Sequence, residues 1–218
     1  ARVFNFGAPG LENITKTRLI PEYELRNEYN IPKHKKYFLI TVHPETLKID
    51  GGLKTVNNLI SALTFIDGYH FVFTYPNADT NCQNIITAIE QFKKSNPKNV
   101  VFEKYYGQLK YLSLMSCSSA VIGNSSSGII EATTLGVPSI DIGDRQRERV
   151  MAKSVILCNS KITEIVDAVK VATDHEFLKS IQNVENPYGC GNSSKMIVKT
   201  LEEINLSHLL SKDFFDIT

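Results

Sequence analysis

Short apolar runs alternate with segments of helical period along most of this chain, and no other feature restricts its fold as strongly. The runs are Tyr37-Phe38-Leu39-Ile40-Thr41-Val42, residues 69–75, Val100-Val101-Phe102, residues 119–122, Val137 to Ile142, and Val155-Ile156-Leu157. Their length and their β-branched and aromatic content are those of buried strands. Between them, apolar residues recur at three- and four-residue spacing, as in Leu53, Val56, Leu59, Ile60 and Leu63, and again in Ile85, Ile86, Ile89 and Phe92. Helices are expected over about 52–66, 81–94, 107–117, 126–135, 161–173, 174–182 and 193–204, with another inside 15–29. Such alternation predicts an α/β fold, a Rossmann-like doubly wound parallel sheet with helices on both faces.

Sheets of this kind bind ligands outside the carboxyl ends of their strands. That rule gathers His43, residues 75–77, residues 104–107, residues 123–128 and residues 143–149 on one rim. The richest of these segments is Gly123-Asn124-Ser125-Ser126-Ser127-Gly128-Ile129-Ile130-Glu131-Ala132. It reads as strand, small-residue turn and helix. Such a turn exposes backbone N–H groups at a helix start, where negative charge is favoured, and the serines add hydroxyl donors. Glu131 follows Ser126 by about a turn and a half of helix, within reach of a ribose hydroxyl pair. The segment suits a nucleoside diphosphate. A plain N-cap is the simpler reading, but one Asn or Ser suffices for a cap, and four consecutive cap-capable residues exceed it.

The other rim segments carry chemistry of the same sort. His43, in Thr41-Val42-His43-Pro44-Glu45, ends the first strand, where an imidazole either hydrogen-bonds a phosphate or shuttles a proton near neutral pH. The simpler alternative is a strand cap before a proline turn. His34, His70, His175 and His208 lack that context and read as structural or solvated. Arg145, Arg147 and Arg149 fall within five positions just after a strand, and arginine suits bidentate phosphate binding. Against this stands a solvated loop with Asp144 and Glu148 as partners. Asn77 follows Tyr75-Pro76, a pair with ordinary turn chemistry. Tyr106 is a candidate for a uracil pocket, while Tyr111, with Leu112 and Met115, reads as the buried face of a helix.

Composition removes several classes. Lys plus Arg number 24 and Asp plus Glu 23, a net charge of 24 − 23 = +1, so nothing favours nucleic acid or a membrane surface as partner. No apolar run is long enough to cross a bilayer. Cys82, Cys117, Cys158 and Cys190 are widely spaced without a C-x-x-C pair, which argues against zinc and for reduced thiols in a cytoplasmic protein. Neither a Walker P-loop, nor G-x-G-x-x-G, nor a G-x-S-x-G elbow is present. The chain begins at Ala1 and its earliest methionine is Met115, so a piece of a longer protein, or a processed chain, is expected. Residues 1–14, with Gly7-Ala8-Pro9-Gly10, read as a linker, and residues 15–218 as one domain.

Taken in order, these segments resemble the hydrolysing UDP-N-acetylglucosamine 2-epimerase family. The resemblance runs from Gly7-Ala8-Pro9-Gly10-Leu11-Glu12-Asn13-Ile14, through Thr41 to Thr46, Gly123 to Ala132 and Gly143-Asp144-Arg145-Gln146, to Asn186-Pro187-Tyr188-Gly189-Cys190-Gly191. The serine-rich turn is similar to the branch that releases ManNAc-type sugars for sialic or legionaminic acid synthesis. The resemblance implies one half of a GT-B type two-domain fold, here the carboxy-terminal UDP-binding half, with the amino-terminal domain as its missing partner in cis. It implies loss of UDP and of the carbon-2 proton from a UDP-N-acetylhexosamine, then water addition with inversion at carbon 2, without metal or redox cofactor. It assigns His43 as the active-site histidine, Ser125 and Ser126 to the nucleotide, Glu131 to the ribose and Arg145 to the diphosphate. Asn77 falls on the substrate side and Tyr106 on the uridine side. A homo-oligomer is expected of the full-length protein, and an inert isolated half. One departure is Glu148, where the family often has Gly. Two alternatives remain at this level: the donor half of a GT-B glycosyltransferase, and a UDP-binding module without catalysis.

Overall fold

A computed structural model describes residues 3–205; residues 206–218, and with them His208, lie outside the described residues. In chain order the elements are α1 (Leu11–Lys16), α2 (Glu22–Glu28), β1 (Lys36–Thr41), α3 (Leu53–Leu63), β2 (Tyr69–Thr74), α4 (Cys82–Ser95), β3 (Val100–Glu103) and α5 (Gly107–Ser116). They continue with β4 (Ala120–Gly123), α6 (Ser126–Ile129), α7 (Glu131–Thr134), β5 (Ser139–Ile142), β6 (Val155–Cys158), α8 (Ile162–Thr173), α9 (His175–Ser180) and α10 (Ser193–Glu203). The six strands form one parallel sheet in the order β3-β2-β1-β4-β5-β6.

Strand side chains alternate between two covered faces. Phe38 and Ile40 on β1 join Phe71 and Phe73 on β2 against Val56, Leu59 and Leu63 of α3, Ile85 and Ile89 of α4, and Ile165 and Val169 of α8. Tyr37 and Leu39 point the other way and join Val72, Val101 and Val121 against Leu25 of α2 and Leu114 and Met115 of α5. Burial on both faces explains why β1 to β5 read as continuous apolar runs, while β6, at the sheet edge, leaves Leu157 exposed. Among the described residues no helix is long and apolar enough to cross a membrane.

Two segments depart from the sequence reading. The helix expected inside 15–29 is α2, but a further helix, α1, lies mostly in residues read as linker and crosses the boundary drawn at 14/15, with Leu11 and Ile14 buried against Leu112. Pro21 caps α2, and a proline biases the residue before it, Ile20, towards extended backbone, which separates the two. The helix expected over 126–135 is two short pieces, broken at Ile130. Asn186 repairs the break: its Nδ2 donates to the Ile130 carbonyl and to Thr134 Oγ1, both at 2.7 Å. The next residues reach the amino-terminal segment, where the Ala8 N–H donates to the Tyr188 carbonyl at 2.7 Å. Thus Gly7–Gly10 and Asn186–Gly189, far apart in sequence, brace the back of the serine turn.

Candidate functional site

The chain runs β1 to β2 to β3 towards one edge, then crosses back to lay β4 on the other side of β1. The loops after β1 and β4 therefore leave the sheet in opposite directions, and the crevice between them is where doubly wound sheets hold ligands. Here those loops are 42–45 and 124–127, so topology alone brings His43 beside the serine turn.

Asn124 locks the two loops together. Its Oδ1 accepts the His43 N–H at 2.7 Å and its Nδ2 donates to the His43 carbonyl at 3.0 Å, within a fully buried contact. Gly123 makes the approach possible, with φ at +144° and with the position of a Cβ falling 1.9 Å from the Thr41 carbonyl oxygen. On the far side of Asn124, its carbonyl accepts from Arg145 Nη1 at 3.1 Å and from Gln146 Nε2 at 2.9 Å. The β1, β4 and β5 loops thus meet on one residue.

His43 is also held by its ring. Nδ1 accepts the Asn77 N–H at 3.0 Å, so the ring proton sits on Nε2, which has no protein partner among the described residues. Burial first, and then the Arg145 charge, lower its pKa to about 4, against a smaller opposing pull from Asp79. A ring held this way is a fixed neutral donor at physiological pH, and the expected proton shuttling near neutrality does not fit it. The sign is testable. The folded pKa lies below the unfolded one, so the unfolded chain binds the extra proton more readily between about pH 6.5 and 4. The contribution to stability is full above 6.5 and is lost as pH falls towards 4. In side-chain ¹⁵N NMR, His43 is expected to keep the Nε2–H tautomer at pH 7 and to titrate near pH 4; a midpoint near 6.5 would contradict the hydrogen bond from Asn77.

The crevice opens into a cavity of about 320 Å³ whose walls include Thr41, His43, Thr74, Tyr111, Ser125 and Ser127. Its outer wall is the β3–α5 loop, with Tyr105 exposed and Gln108 beside it. A second cavity, about 490 Å³, lies past His43 and is bordered by Glu45, Lys48, Asp79, Asp144 and Arg145. Beneath it Asp141 is buried with Oδ2 unpartnered; burial and Glu45, opposed by Arg145, raise its pKa to about 7. Glu45 itself is satisfied by Thr55 Oγ1 at 3.0 Å and Lys48 Nζ at 2.8 Å.

The rim residues singled out from the sequence behave differently from one another. Ser125 caps α6, accepting the Ser127 N–H at 3.4 Å, and Ser126 begins that helix. With α6 only four residues long, the donors here are individual N–H and hydroxyl groups and not a long helix dipole. Glu131 begins α7 with Oε2 buried and unpartnered, and burial raises its pKa. Of the arginine triplet, Arg147 takes the simpler reading, paired with Asp144 at 2.9 Å, while Arg145 reaches the Asn124 carbonyl. Asn77 has an exposed side chain, and what it brings to the site is its backbone N–H. Tyr106 is buried in the core and spends its hydroxyl on the Phe73 carbonyl at 3.0 Å, so its ring backs the cavity wall. Among the described residues no cluster of His, Cys, Asp or Glu is placed to hold a metal.

The sequence reading missed Asn124 as a clamp and Tyr111 as a polar wall. An Asn directly after a strand-ending Gly was a visible signal for the first. Nothing local marks the second, whose hydroxyl is directed across the cavity at Ser127 Oγ, 2.5 Å away.

An all-parallel, doubly wound sheet with a polar crevice at its switch point is the Rossmann-like layer from which GT-B proteins are built. The chain belongs to the UDP-N-acetylglucosamine 2-epimerase family, whose model matches residues 1–202. It is 34% identical to the Polysialic acid biosynthesis protein P7 of Escherichia coli, over 99% of this chain and 55% of that one. It is 33% identical to the hydrolysing GDP/UDP-N,N'-diacetylbacillosamine 2-epimerase of Campylobacter jejuni, over 99% of this chain and 56% of that one. The chain therefore spans about half the length of the curated relatives it matches. The crystal structure of UDP-GlcNAc 2-epimerase from Neisseria meningitidis bound to UDP-GlcNAc shares the fold. It superposes with a TM-score of 0.61 at 24% identity, over 84% of this chain and 48% of that one.

Proposed function

We propose that this chain is the carboxy-terminal, UDP-sugar-binding half of a hydrolysing 2-epimerase acting on a UDP-N-acetylhexosamine. The observation that carries the reading is the convergence at the β1–β4 crevice of a neutral imidazole with its donor free, a serine turn and Arg145. In this reading the uridine occupies the cavity beside the β3–α5 loop, and Glu131 accepts from the ribose. Ser125, Ser126 and Arg145 hold the diphosphate. His43 Nε2–H donates to an oxygen of the departing UDP, so that the charge developing there meets a donor already in place. Departure of UDP and loss of the carbon-2 proton leave a glycal-like intermediate, and water adds to it with inversion at carbon 2. The groups that move the carbon-2 proton belong to the other domain, so the 218-residue chain binds UDP without turnover.

Calorimetry tests the binding half directly. The chain is expected to bind UDP, with Arg145→Ala and Glu131→Ala each weakening it by about tenfold or more, the scale of a lost charge-assisted hydrogen bond. Equal affinity in all three proteins would sink the assignment. For the reaction, the full-length protein is expected to release UDP and a free 2-epimerised sugar, and turnover by the 218-residue chain alone would overturn the division of labour.

A further inference from the structure

The cavity contains a short chain of hydroxyls that ends on Ser125, one of the groups assigned to the diphosphate. Thr41, Thr74 and the Tyr111 phenol share the cavity wall, with Thr74 Oγ1 2.8 Å from Thr41 Oγ1 and donating to the Tyr75 carbonyl at 3.5 Å. The phenol lies 2.5 Å from Ser127 Oγ, which lies 3.0 Å from Ser125 Oγ. A hydroxyl has one proton to give. Ser127 donates its own to Ser125, so the proton in the contact between Tyr111 and Ser127 comes from Tyr111. Ser125 Oγ accepts from both the hydroxyl and the N–H of Ser127. Its own proton is therefore left for whatever occupies the cavity.

We infer that Tyr111 is a positioning residue for the nucleotide: its phenol sets the direction of the hydroxyl chain, so that Ser125 meets the ligand as a donor. The inference rests on the nucleotide reading above and adds a polarity to it. Without the phenol proton, Ser127 is free to turn and Ser125 is free to point its proton back into the turn. With it, each bond polarises the next, and the last donor is aimed before the anion arrives. The chain thus selects an acceptor-only ligand group, such as a phosphate oxygen, over a group that must itself donate. The sequence reading of Tyr111 as a buried helix face is half of the truth: the ring packs against the cluster of Leu11, Ile14 and Leu112 while the hydroxyl works in the cavity.

Three variants test the idea by UDP calorimetry, with urea unfolding as a check on the fold. Tyr111→Phe keeps the ring and removes the proton, and is expected to weaken UDP about tenfold. Ser125→Ala is expected to weaken it at least as much. The deciding protein is the double variant. Tyr111 acts on the ligand through Ser127 and Ser125, so adding Tyr111→Phe to Ser125→Ala should cost no further affinity. A merely structural role for Tyr111 gives effects that multiply, and that result overturns the inference. So does a Tyr111→Phe chain that binds UDP as tightly as the parent. If the parent itself fails to bind UDP, the nucleotide reading falls and this inference falls with it. If the parent binds and the two effects multiply, only the inference falls.

Discussion

Replacing Gly123 by alanine is expected to destabilise the fold severely, with the urea midpoint driven far below the parent's. A Cβ there would sit 1.9 Å from the Thr41 carbonyl oxygen and 2.7 Å from its carbon, and backbone cannot yield as a flexible side chain can. The residue also holds φ at +144°, a region that side chains with a Cβ rarely enter. Thr41 cannot retreat, because it is paired with Gly123 in the sheet and its carbonyl accepts the Asn124 N–H at 3.2 Å. Relief requires parting β1 from β4 at the centre of the sheet. The cost is expected to exceed about 4 kcal/mol, much of the total stability of a domain this size. Urea unfolding followed by circular dichroism measures it, with Gly10→Ala as the control, since a Cβ at Gly10 meets nothing within 4 Å. A Gly123→Ala protein whose unfolding midpoint matched the parent would show the strand ends to be far looser than the geometry requires.

Asn124→Ala comes next in size and separates stability from binding. The side chain is buried and serves both main-chain groups of His43. Removing it leaves a donor and an acceptor unpaired in the interior, a loss of about 2–4 kcal/mol. The contacts of Arg145 and Gln146 are with the main-chain carbonyl of Asn124 and survive the substitution. The protein is thus expected to fold, with a lowered urea midpoint, and to bind UDP at least tenfold more weakly because His43 is no longer held in place. Unchanged UDP affinity in a folded Asn124→Ala chain would remove His43 from the binding site.

Much of the fold was legible because a doubly wound sheet is written in local periods. The strands from β1 to β5 are short apolar runs, as burial on two faces demands, while β6 is an apolar run at an exposed edge, and α3, α4 and α8 carry their apolar stripes at helical spacing. The misreadings have local causes that override period. The short α1 directly follows the turn residues Pro9 and Gly10 and so read as linker, and α6 and α7 part at Ile130, where a distant Asn186 supplies the missing donor. The rim was legible for a different reason: once the strands are parallel, their carboxyl ends share an edge, so His43, Ser125 and Arg145 follow from the order of elements.

The linear order of residues thus settles which side chains stand on that edge, because strand ends are defined by local pattern. It is silent on what each does there. The tautomer of His43 depends on an N–H 34 residues away, the clamp on Asn124 spans 81 residues, and the polarity of the serine turn depends on a phenol 16 residues upstream. Hydrogen-bond direction is a property of pairs, and folding alone chooses the pairs.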